Sequence, residues 1–422
     1  MSAPDDQPLQ SGSSPMPFAA RILAWWGRRA SAVLSWAAVL MALAALVWLS
    51  YETWRLLWQW PPLGAIDLKQ RYTETRALFA GRAVYRLIDT ASYPPASMTM
   101  LWPILGWPSF ATARWLWALL TAGTLIWMAR TVARDSGATT RAERRLAMLL
   151  PFAMYATGAA TGNGQLSIPV VALLLASLPI LLREDRVLPL ALAVLGFVGA
   201  LVKPSLAAPF FWMVLFRPRK PFPAIAIVAI YLGLTVIAGL AQPMSTVQLI
   251  HEFLSRSEDI SIWGAAHHGY ANLHSCLGAV GRPAWNAPVS LVLLGLLGVW
   301  TWRHRRADPW LLMSAAAFAA RFWTYHGWYD DLLLLIPMIA LFRLAKQGTT
   351  DGQKVWAGSL LAAMVCSTVA PGGLYLLPVP WKQIYVAAQV VVWLAACVFL
   401  LRATGRSPVA VVHLSASPAQ QQ

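Results

Sequence analysis

The sequence predicts an all-α integral membrane protein with about 12 transmembrane helices plus re-entrant and juxtamembrane helices. Of its 422 residues, 58% are hydrophobic and only 12% are charged, whereas a soluble domain carries about 25% charged residues. The 23 tryptophans and 11 tyrosines agree with this class, because their rings favour the boundary between hydrocarbon and water. A single polytopic domain is the simplest description.

This domain is predicted to span residues 31–402. Residues 1–30 are expected to form a disordered, basic cytoplasmic tail, because the first 20 are polar and rich in Pro, Ser and Gln. Residues 403–422 are expected to form a second cytoplasmic tail. No cleavable signal peptide is apparent, so the first apolar run should remain as an anchor. The odd cysteine count of 3 gives neither a disulfide framework nor a metal-binding spacing.

Apolar runs define the predicted spans in order. They fall at 31–50, 110–133, 146–162, 166–182, 187–202, 205–216, 222–240, 287–302, 309–322, 332–345, 355–371 and 383–401. A further stretch, 93–108, is short and contains four prolines, which remove backbone donors and break helices. We interpret it as a re-entrant or half-length helix. The alternative makes 93–108 a full span and merges 187–216 into one helix interrupted at Lys203-Pro204.

The formal net charge of +16 does not indicate nucleic-acid binding, because the basic residues form short clusters between apolar runs. Such clusters mark cytoplasmic loops and contacts with anionic lipid headgroups. With the N-terminus inside, the polar segments then share the outer face of the cell inner (plasma) membrane. These segments are 52–92, with interfacial helices, 162–165, 203–205, 241–286, 321–331 and 372–382.

Asp67 is the first candidate for chemistry, since charge near lipid is costly and is often kept for function. It could act as a general base towards an acceptor hydroxyl, or cap the start of a helix. Lys203 could bind an anion as a compact positive charge, or extend its ammonium to the interface. Asn163 and Gln165 could bond sugar hydroxyls, or simply form a turn between helices.

Two later segments are also rich in polar residues. Residues 321–331 combine aromatic rings with His326, which could bind a phosphate or protonate a leaving group. The acids Asp330 and Asp331 are consecutive and should therefore diverge on a helix, so we predict no metal site there. The 241–286 loop contains histidines and acids without a zinc-ligand spacing. We expect this loop to cover an outer cavity.

In order along the chain, these residues resemble glycosyltransferase family 87, the polyprenol-phosphate-mannose-dependent α-mannosyltransferases of the multi-span C superfamily (GT-C). The resemblance covers roughly residues 60–335 and is moderately specific as an ordered set. Its features are Asp67, Tyr72, Gly81 and Tyr85; Tyr93-Pro94-Pro95; Gly164-Gln165; Lys203-Pro204; Asn272-x-x-Ser275-x-x-Gly278; and His326. The family usually has Asn-Gln-Ser-Leu where this chain has Asn272-Leu273-His274-Ser275, which leaves the acceptor and the sugar open.

The resemblance implies inverting transfer of a hexose, most simply mannose, from a polyprenyl-phosphate carrier to a lipid or glycan hydroxyl on the outer face. Asp67 would be the catalytic base. The donor phosphate and sugar would meet Lys203, His326, Arg321 and Tyr325. Contacts to the sugar or acceptor would come from Tyr72, Tyr93, Asn163, Gln165, Asn272 and His274.

The expected partners are membrane lipids, the lipid-linked donor and the acceptor, with no metal and no separate cofactor. Two other classes of protein stay open at this point. A transporter or flippase of a lipid-linked or anionic solute predicts acids and cations deep within spans and an internal repeat, and the sequence shows neither. A membrane ligase or polymerase acting on lipid-linked glycans is the other alternative.

Overall fold

The computed structural model describes residues 18–217, 221–268 and 271–406; for 264–268 and residue 406 it describes the backbone only. Across these residues the chain is helical, and the sole strand-like pairing described is an isolated antiparallel bridge between Met154 and Val369. The predicted all-α class is therefore confirmed.

The first part of the chain forms helices of very different lengths. They are α1 (Phe18–Trp58), α2 (Ile66–Phe79), α3 (Val84–Leu87), α4 (Pro95–Leu105), α5 (Phe110–Asp135), α6 (Arg141–Ala153), α7 (Tyr155–Asn163), α8 (Ser167–Arg183), α9 (Val187–Ala200), α10 (Pro204–Ala207) and α11 (Phe211–Leu215). A 3₁₀ turn, Ala208–Phe210, joins the last two.

The second part continues in the same way. Its helices are α12 (Phe222–Leu240), α13 (Thr246–His268), α14 (Leu273–Ala279), α15 (Asn286–Arg303), α16 (Pro309–Phe322), α17 (Leu335–Gln347), α18 (Asp351–Thr368), α19 (Gly373–Leu376) and α20 (Trp381–Arg406). Two 3₁₀ segments, Pro283–Trp285 and Trp328–Leu334, lie between them. The predicted outer loop 241–286 is thus largely helical.

Within the described residues, five helical segments are long and apolar enough to cross a membrane: α1, α5, α12, the 283–303 segment and α20. The α7–α8 pair is bent by 118° and the pair formed by α9 with 204–215 by 119°, which gives up to seven if each pair is one span. The coarser expectation of a multi-span membrane protein stands. The count of about 12 is not reached by this measure, because several apolar runs fold into short or sharply bent helices.

Helix α1 corrects the predicted boundaries of the tails. It begins at Phe18 and has 41 residues, which makes it about 60 Å long. Residues 18–30, predicted to be disordered, are therefore helical, and residues 403–406 belong to α20. The remainder of both predicted tails lies outside the described residues.

Helix α4 confirms the half-length interpretation of 93–108. It begins with Pro95 at its first position, where the missing amide hydrogen costs nothing. Its 11 residues reach only about 16 Å, roughly half the hydrocarbon thickness. The chain then turns at Gly106 and enters α5.

Helices α16 and α17 form the centre of the molecule. Nearly all residues from Trp310 to Phe318 and from Leu335 to Phe342 are buried, so these helices are apolar on all sides, as expected of a core element. The segment between them, 323–334, is consequently held deep in the protein. This arrangement fixes the polar residues of that segment against α7 and α8.

Candidate active site

Two helix breaks and the central segment 323–334 meet at one place. The first break lies between α7 and α8 and carries Gly164 and Gln165. The second lies between α9 and α10, where Lys203 precedes Pro204 at the first helical position. A helix break exposes polar groups that a continuous span would hide, and membrane proteins tolerate this where a cavity is lined.

Lys203 forms a buried ion pair with Asp330. The distance from Lys203 Nζ to Asp330 Oδ1 is 2.6 Å. Longer contacts of 3.4 Å join the same nitrogen to Gln165 Oε1 and to Ser167 Oγ, and the Ser167 hydroxyl donates to Asp330 Oδ1 at 2.5 Å. Burial alone would raise the pKa of Asp330, but Lys203 and His326 hold it below its usual range.

His326 binds the other oxygen of the same carboxylate. Its Nδ1 lies 2.9 Å from Asp330 Oδ2, and because a carboxylate only accepts, Nδ1 carries the proton. Burial lowers the pKa of the imidazole in spite of this bond. Its Nε2 is buried without a hydrogen-bond partner among the described residues. A neutral ring can accept a hydroxyl proton there, and a protonated ring can donate to a phosphate oxygen.

Asp67 faces this cluster from α2. It is the second residue of that helix, whereas the N-cap position is taken by Ala65, whose backbone is left-handed (φ 52°). The alternative in which Asp67 caps the helix is therefore wrong. The side chain of Gln165 lies close enough to Asp67 to lower its pKa, while the oxygen of that amide accepts from Leu166 N at 3.1 Å and from Lys203. One amide thus lies beside both the carboxylate and the ammonium.

Close backbone packing holds α2 against the first break. A Cβ on Gly164, which is left-handed at φ 67°, would lie 2.5 Å from Leu68 Cβ. The Ala65 amide also donates to the Gly162 carbonyl at 2.8 Å. Glycine at 164 is therefore needed both for its conformation and for the approach of α2.

The electrostatic surroundings suit Asp67 to proton transfer. Burial raises its pKa to about 6, against the opposing effects of Arg71, Lys203 and Gln165. Protein atoms surround the carboxylate, yet the residue remains partly exposed. A base with a pKa close to neutral combines the ionised form with useful proton affinity.

Three tyrosines complete the polar lining. The charges of Asp67 and Asp330 act on the hydroxyls of Tyr93, Tyr325 and Tyr329, and burial raises the pKa of all three. The Lys203 ammonium lies 4.8 Å from the centre of the Tyr329 ring. The predicted residues Asp67, Tyr93, Gln165, Lys203, Tyr325 and His326 are therefore brought together.

An apolar cavity of about 920 Å³ begins beside this cluster. Its walls come from α4, α5, α8, α9 and α12, and include Trp117, Ala172, Val198 and Ile230. Leu166 and Val202 also line it, and they directly adjoin Gln165 and Lys203 in the chain. Two lining residues of a space fit for hydrocarbon are therefore chain neighbours of the polar cluster.

Arg321, which was predicted to meet the donor, makes its contacts with other groups of the protein. It forms an ion pair with Asp331 and donates to the Ala271 carbonyl at 2.9 Å. The second oxygen of Asp331 accepts from the Tyr155 hydroxyl at 2.5 Å. The guanidinium is buried against the Trp393 ring, 5.5 Å from its centre. This geometry favours a structural role for Arg321 over a contact with the donor.

Tyr72 and Asn163 also lie apart from the cluster. The Tyr72 hydroxyl donates to the Pro108 carbonyl at 3.1 Å and accepts from Arg76 at 3.0 Å. Asn163 accepts from Arg55 at 3.5 Å, next to Glu52. The geometry does not favour either side chain as a sugar contact.

Asn272 and His274 organise the segment after α13. Asn272 caps α14 by accepting from Ser275 N at 2.9 Å. Both ring nitrogens of His274 lie 2.7 Å from serine hydroxyls, those of Ser261 and Ser290. Burial lowers the pKa of His274 to about 4, so the ring stays neutral and joins α13, α14 and α15. Direct contact of these residues with the sugar or acceptor remains a prediction that the hydrogen bonds do not favour.

Sequence reasoning passed over Ser167, Tyr329, Arg71 and Glu74, and treated Asp330 only as a doubtful metal ligand. Asp330 could have been found as the acid nearest to the histidine of its own segment. In the described part of the chain, no group of three or more His, Cys, Asp or Glu residues is placed to hold a metal ion. The two acids of 330–331 diverge, as expected of neighbours in a helical segment.

Comparison with protein families matches residues 91–326, more than half of the sequence, to glycosyltransferase family 87. The chain belongs to glycosyltransferase family 87. The protein is therefore a membrane glycosyltransferase. No curated protein and no solved structure gives a match. The matched segment contains Lys203 and ends at His326, but it begins after Asp67, so the role of that carboxylate depends on geometry.

Proposed function

We propose that this family 87 enzyme moves a hexose, most simply mannose, from a polyprenyl-phosphate carrier to a hydroxyl of a lipid or glycan acceptor. One observation carries the proposal. Gln165 lies beside both the Asp67 carboxylate and the Lys203 ammonium, and the next residue, Leu166, lines an apolar cavity. A base, a cation and a hydrocarbon space therefore stand side by side, as this reaction requires.

In the proposed reaction, Asp67 takes the proton of the acceptor hydroxyl while its oxygen bonds to the anomeric carbon. The bond from that carbon to the phosphate oxygen breaks, and its electron pair stays on the phosphate. Attack opposite to the leaving phosphate inverts the sugar centre. A phosphate leaves as an anion, so it needs positive charge more than a proton.

Lys203 can supply that charge without losing its ion pair. Its contacts with Gln165 and Ser167 are long, both 3.4 Å, whereas the contact with Asp330 is 2.6 Å. A phosphate oxygen can replace either long contact, and the pair with Asp330 stays in place. Asp330 then keeps the ammonium oriented, while Nε2 of His326 offers a further polar contact.

The apolar cavity favours a lipid-linked donor over a nucleotide sugar. The cavity lining is almost wholly apolar, from Met100 on α4 to Leu234 on α12. A hydrocarbon tail can pass from the bilayer into such a cavity without burying a polar group, whereas a nucleotide would leave its base and ribose without polar partners. We propose that the site faces the outside of the inner (plasma) membrane. The positive-inside rule favours this orientation with about 12 crossings, and the family resemblance implies a GT-C-like arrangement.

The proposal is tested with purified protein in liposomes, radiolabelled polyprenyl-phosphate-mannose and a total lipid extract. The expected result is a labelled lipid or glycan product that the Asp67→Asn variant does not form. Parallel reactions contain other polyprenyl-phosphate hexoses, which decide the sugar, and nucleotide-activated mannose, which should give no product. Transfer from the nucleotide sugar, or from none of the lipid-linked sugars, would contradict the proposed donor.

A further inference from the structure

The inner face of α2 carries three charged residues. Asp67, Arg71 and Glu74 follow one another at spacings of four and three, which places them on one side of a helix. Arg71 Nη2 lies 2.8 Å from Glu74 Oε1, and the two residues are only 6% and 0% exposed. A buried ion pair loses the hydration of both charges, so this pair is a poor choice for stability alone.

Arg71 also holds the tyrosine that faces the site. Its guanidinium lies 4.0 Å from the centre of the Tyr93 ring and donates to the Thr90 carbonyl at 3.4 Å. From the other side, the Tyr85 hydroxyl donates to the Tyr93 carbonyl at 2.6 Å. The ring and the backbone of Tyr93 are therefore fixed separately.

The Arg71–Glu74 pair does not use all of its hydrogen-bonding capacity. Arg71 Nη1 and Glu74 Oε2 are both buried without a partner among the described residues. Native proteins leave few such groups unpaired. The pair therefore satisfies its buried polar atoms less completely than a purely structural ion pair would.

We propose that Arg71 and Glu74 are positioning residues for glycosyl transfer: Glu74 holds the Arg71 guanidinium, which in turn holds Tyr93 at the site and places a positive charge one helical turn from Asp67. The inference rests on the proposed role of Asp67 as the base. The other charged or titratable groups that act on Asp67 or are affected by its charge are Lys203, Asp330, Tyr93, Tyr325 and Tyr329.

Electrostatics give the two residues different effects on Asp67. Arg71 is the strongest of the influences that lower the pKa of Asp67. Burial raises the pKa of Glu74 to about 7, against the charge of Arg71, and the charge of Asp67 raises it further. As the pH falls, Glu74 therefore takes up its proton before Asp67 does. Removal of the cation should raise the pKa of Asp67, whereas removal of the acid should leave it nearly unchanged.

The test is the pH profile of kcat/KM for the full-length protein with polyprenyl-phosphate-mannose and acceptor. The Arg71→Gln variant should move the acidic limb up by roughly 0.5–1 pH unit. The Glu74→Gln variant should leave the limb in place and raise the KM several-fold, because the Arg71 guanidinium loses the partner that holds it. Matched controls remove the same charges at exposed positions of the next segment, Asp89→Asn and Arg82→Gln. Their limbs should coincide with that of the unaltered enzyme.

Two further variants separate charge from position. Arg71→Lys keeps the charge but loses the planar group over Tyr93. The acidic limb of the pH profile should therefore stay in place, while the KM for the substrates rises several-fold. If a single variant fails to fold, the Arg71→Gln/Glu74→Gln variant has no unpaired buried charge, and its acidic limb should lie above that of the unaltered enzyme, because Asp67 has lost the neighbouring cation.

The inference is overturned if Arg71→Gln moves the limb no further than the exposed controls, or if Glu74→Gln leaves the KM unchanged, while Asp67→Asn remains inactive. In that result Asp67 is still the base, and the proposed function survives. Activity of Asp67→Asn near that of the unaltered enzyme would instead remove the base and this inference together.

Discussion

Asp330 and Asp331 are neighbours in the chain, and both are buried beside a cation, yet they belong to different hydrogen-bond networks. Asp330 binds Lys203, His326 and Ser167. Asp331 binds Arg321 and Tyr155, and Gln389 extends that network by donating to the Tyr155 hydroxyl at 3.1 Å.

The difference lies in what each group leaves unused. On the Asp330 side, Nε2 of His326 has no partner in the part of the chain that the structure describes, and Asp67 remains partly exposed. On the Asp331 side, no polar side-chain atom of Arg321, Asp331 or Tyr155 is buried without a partner among the described residues. Burial and charge are common to both, so spare hydrogen-bonding capacity is the better sign of a site that receives a substrate.

The largest expected effect comes from Asp67→Asn, which removes the base on the Asp330 side. Transfer should fall by roughly 10²–10⁴-fold, because an amide cannot accept the acceptor proton. The measurement is single-turnover transfer of labelled sugar, with folded protein checked by size-exclusion chromatography. Turnover near normal would remove Asp67 from the mechanism, and spare hydrogen-bonding capacity would then not mark the site that receives the substrate.

Next in size is Lys203→Ala, which should raise the KM for the donor by about 10–100-fold, the effect of losing a charge-assisted hydrogen bond. The KM for the acceptor should change much less. Because this variant leaves Asp330 without its cation, the Lys203→Ala/Asp330→Asn variant serves as the control for folding. A donor KM that returns to normal in the double variant would show that Lys203 serves Asp330 and not the phosphate.

A smaller effect is expected from pH. Since the pKa of Asp67 is raised to about 6, the ionised base is present above that pH and is lost below it. The kcat/KM should decrease about tenfold for each pH unit below the limb. The profile should be the same for Tyr155→Phe, which alters only the Asp331 side; a flat profile down to pH 5 would exclude a base with this pKa.

The smallest effect on activity should come from Tyr155→Phe itself. Loss of the hydroxyl that donates to Asp331 should cost about 1–3 kcal/mol of stability and lower the thermal unfolding temperature. The kcat/KM should stay within about threefold of normal, since a satisfied network has no contact to give to the substrate. A large loss of transfer at full stability would place Asp331 in the site.

The sequence predicted best where polar residues interrupt apolar runs. Gln165 and Lys203 mark the two helix breaks, and the prolines of 93–108 identify a short helix. Such residues are costly in lipid, so their position indicates where the fold must make room for them. The ordered motifs then led to the family that the comparison shows.

Other features depend on the direction in which a side chain points, which the composition of the sequence does not give. Tyr72 follows Asp67 by five residues, so on a helix it points roughly 140° away from it. An arginine such as Arg321 has the same residue type whether it binds a substrate or a neighbouring acid. Hydropathy also cannot separate two short helices from one bent span, which is why the number of spans was not fixed by the apolar runs.

The contact between Gly164 and Leu68 has a consequence for how the enzyme must open. Because this contact and the bond from Ala65 to Gly162 fasten the start of α2 to the first helix break, the base cannot swing aside independently of Gln165. Acceptor entry therefore has to come from movement of other elements around the site. A mutation that weakens the contact between Gly164 and Leu68 should therefore disturb the alignment of the reactants more than it disturbs substrate entry.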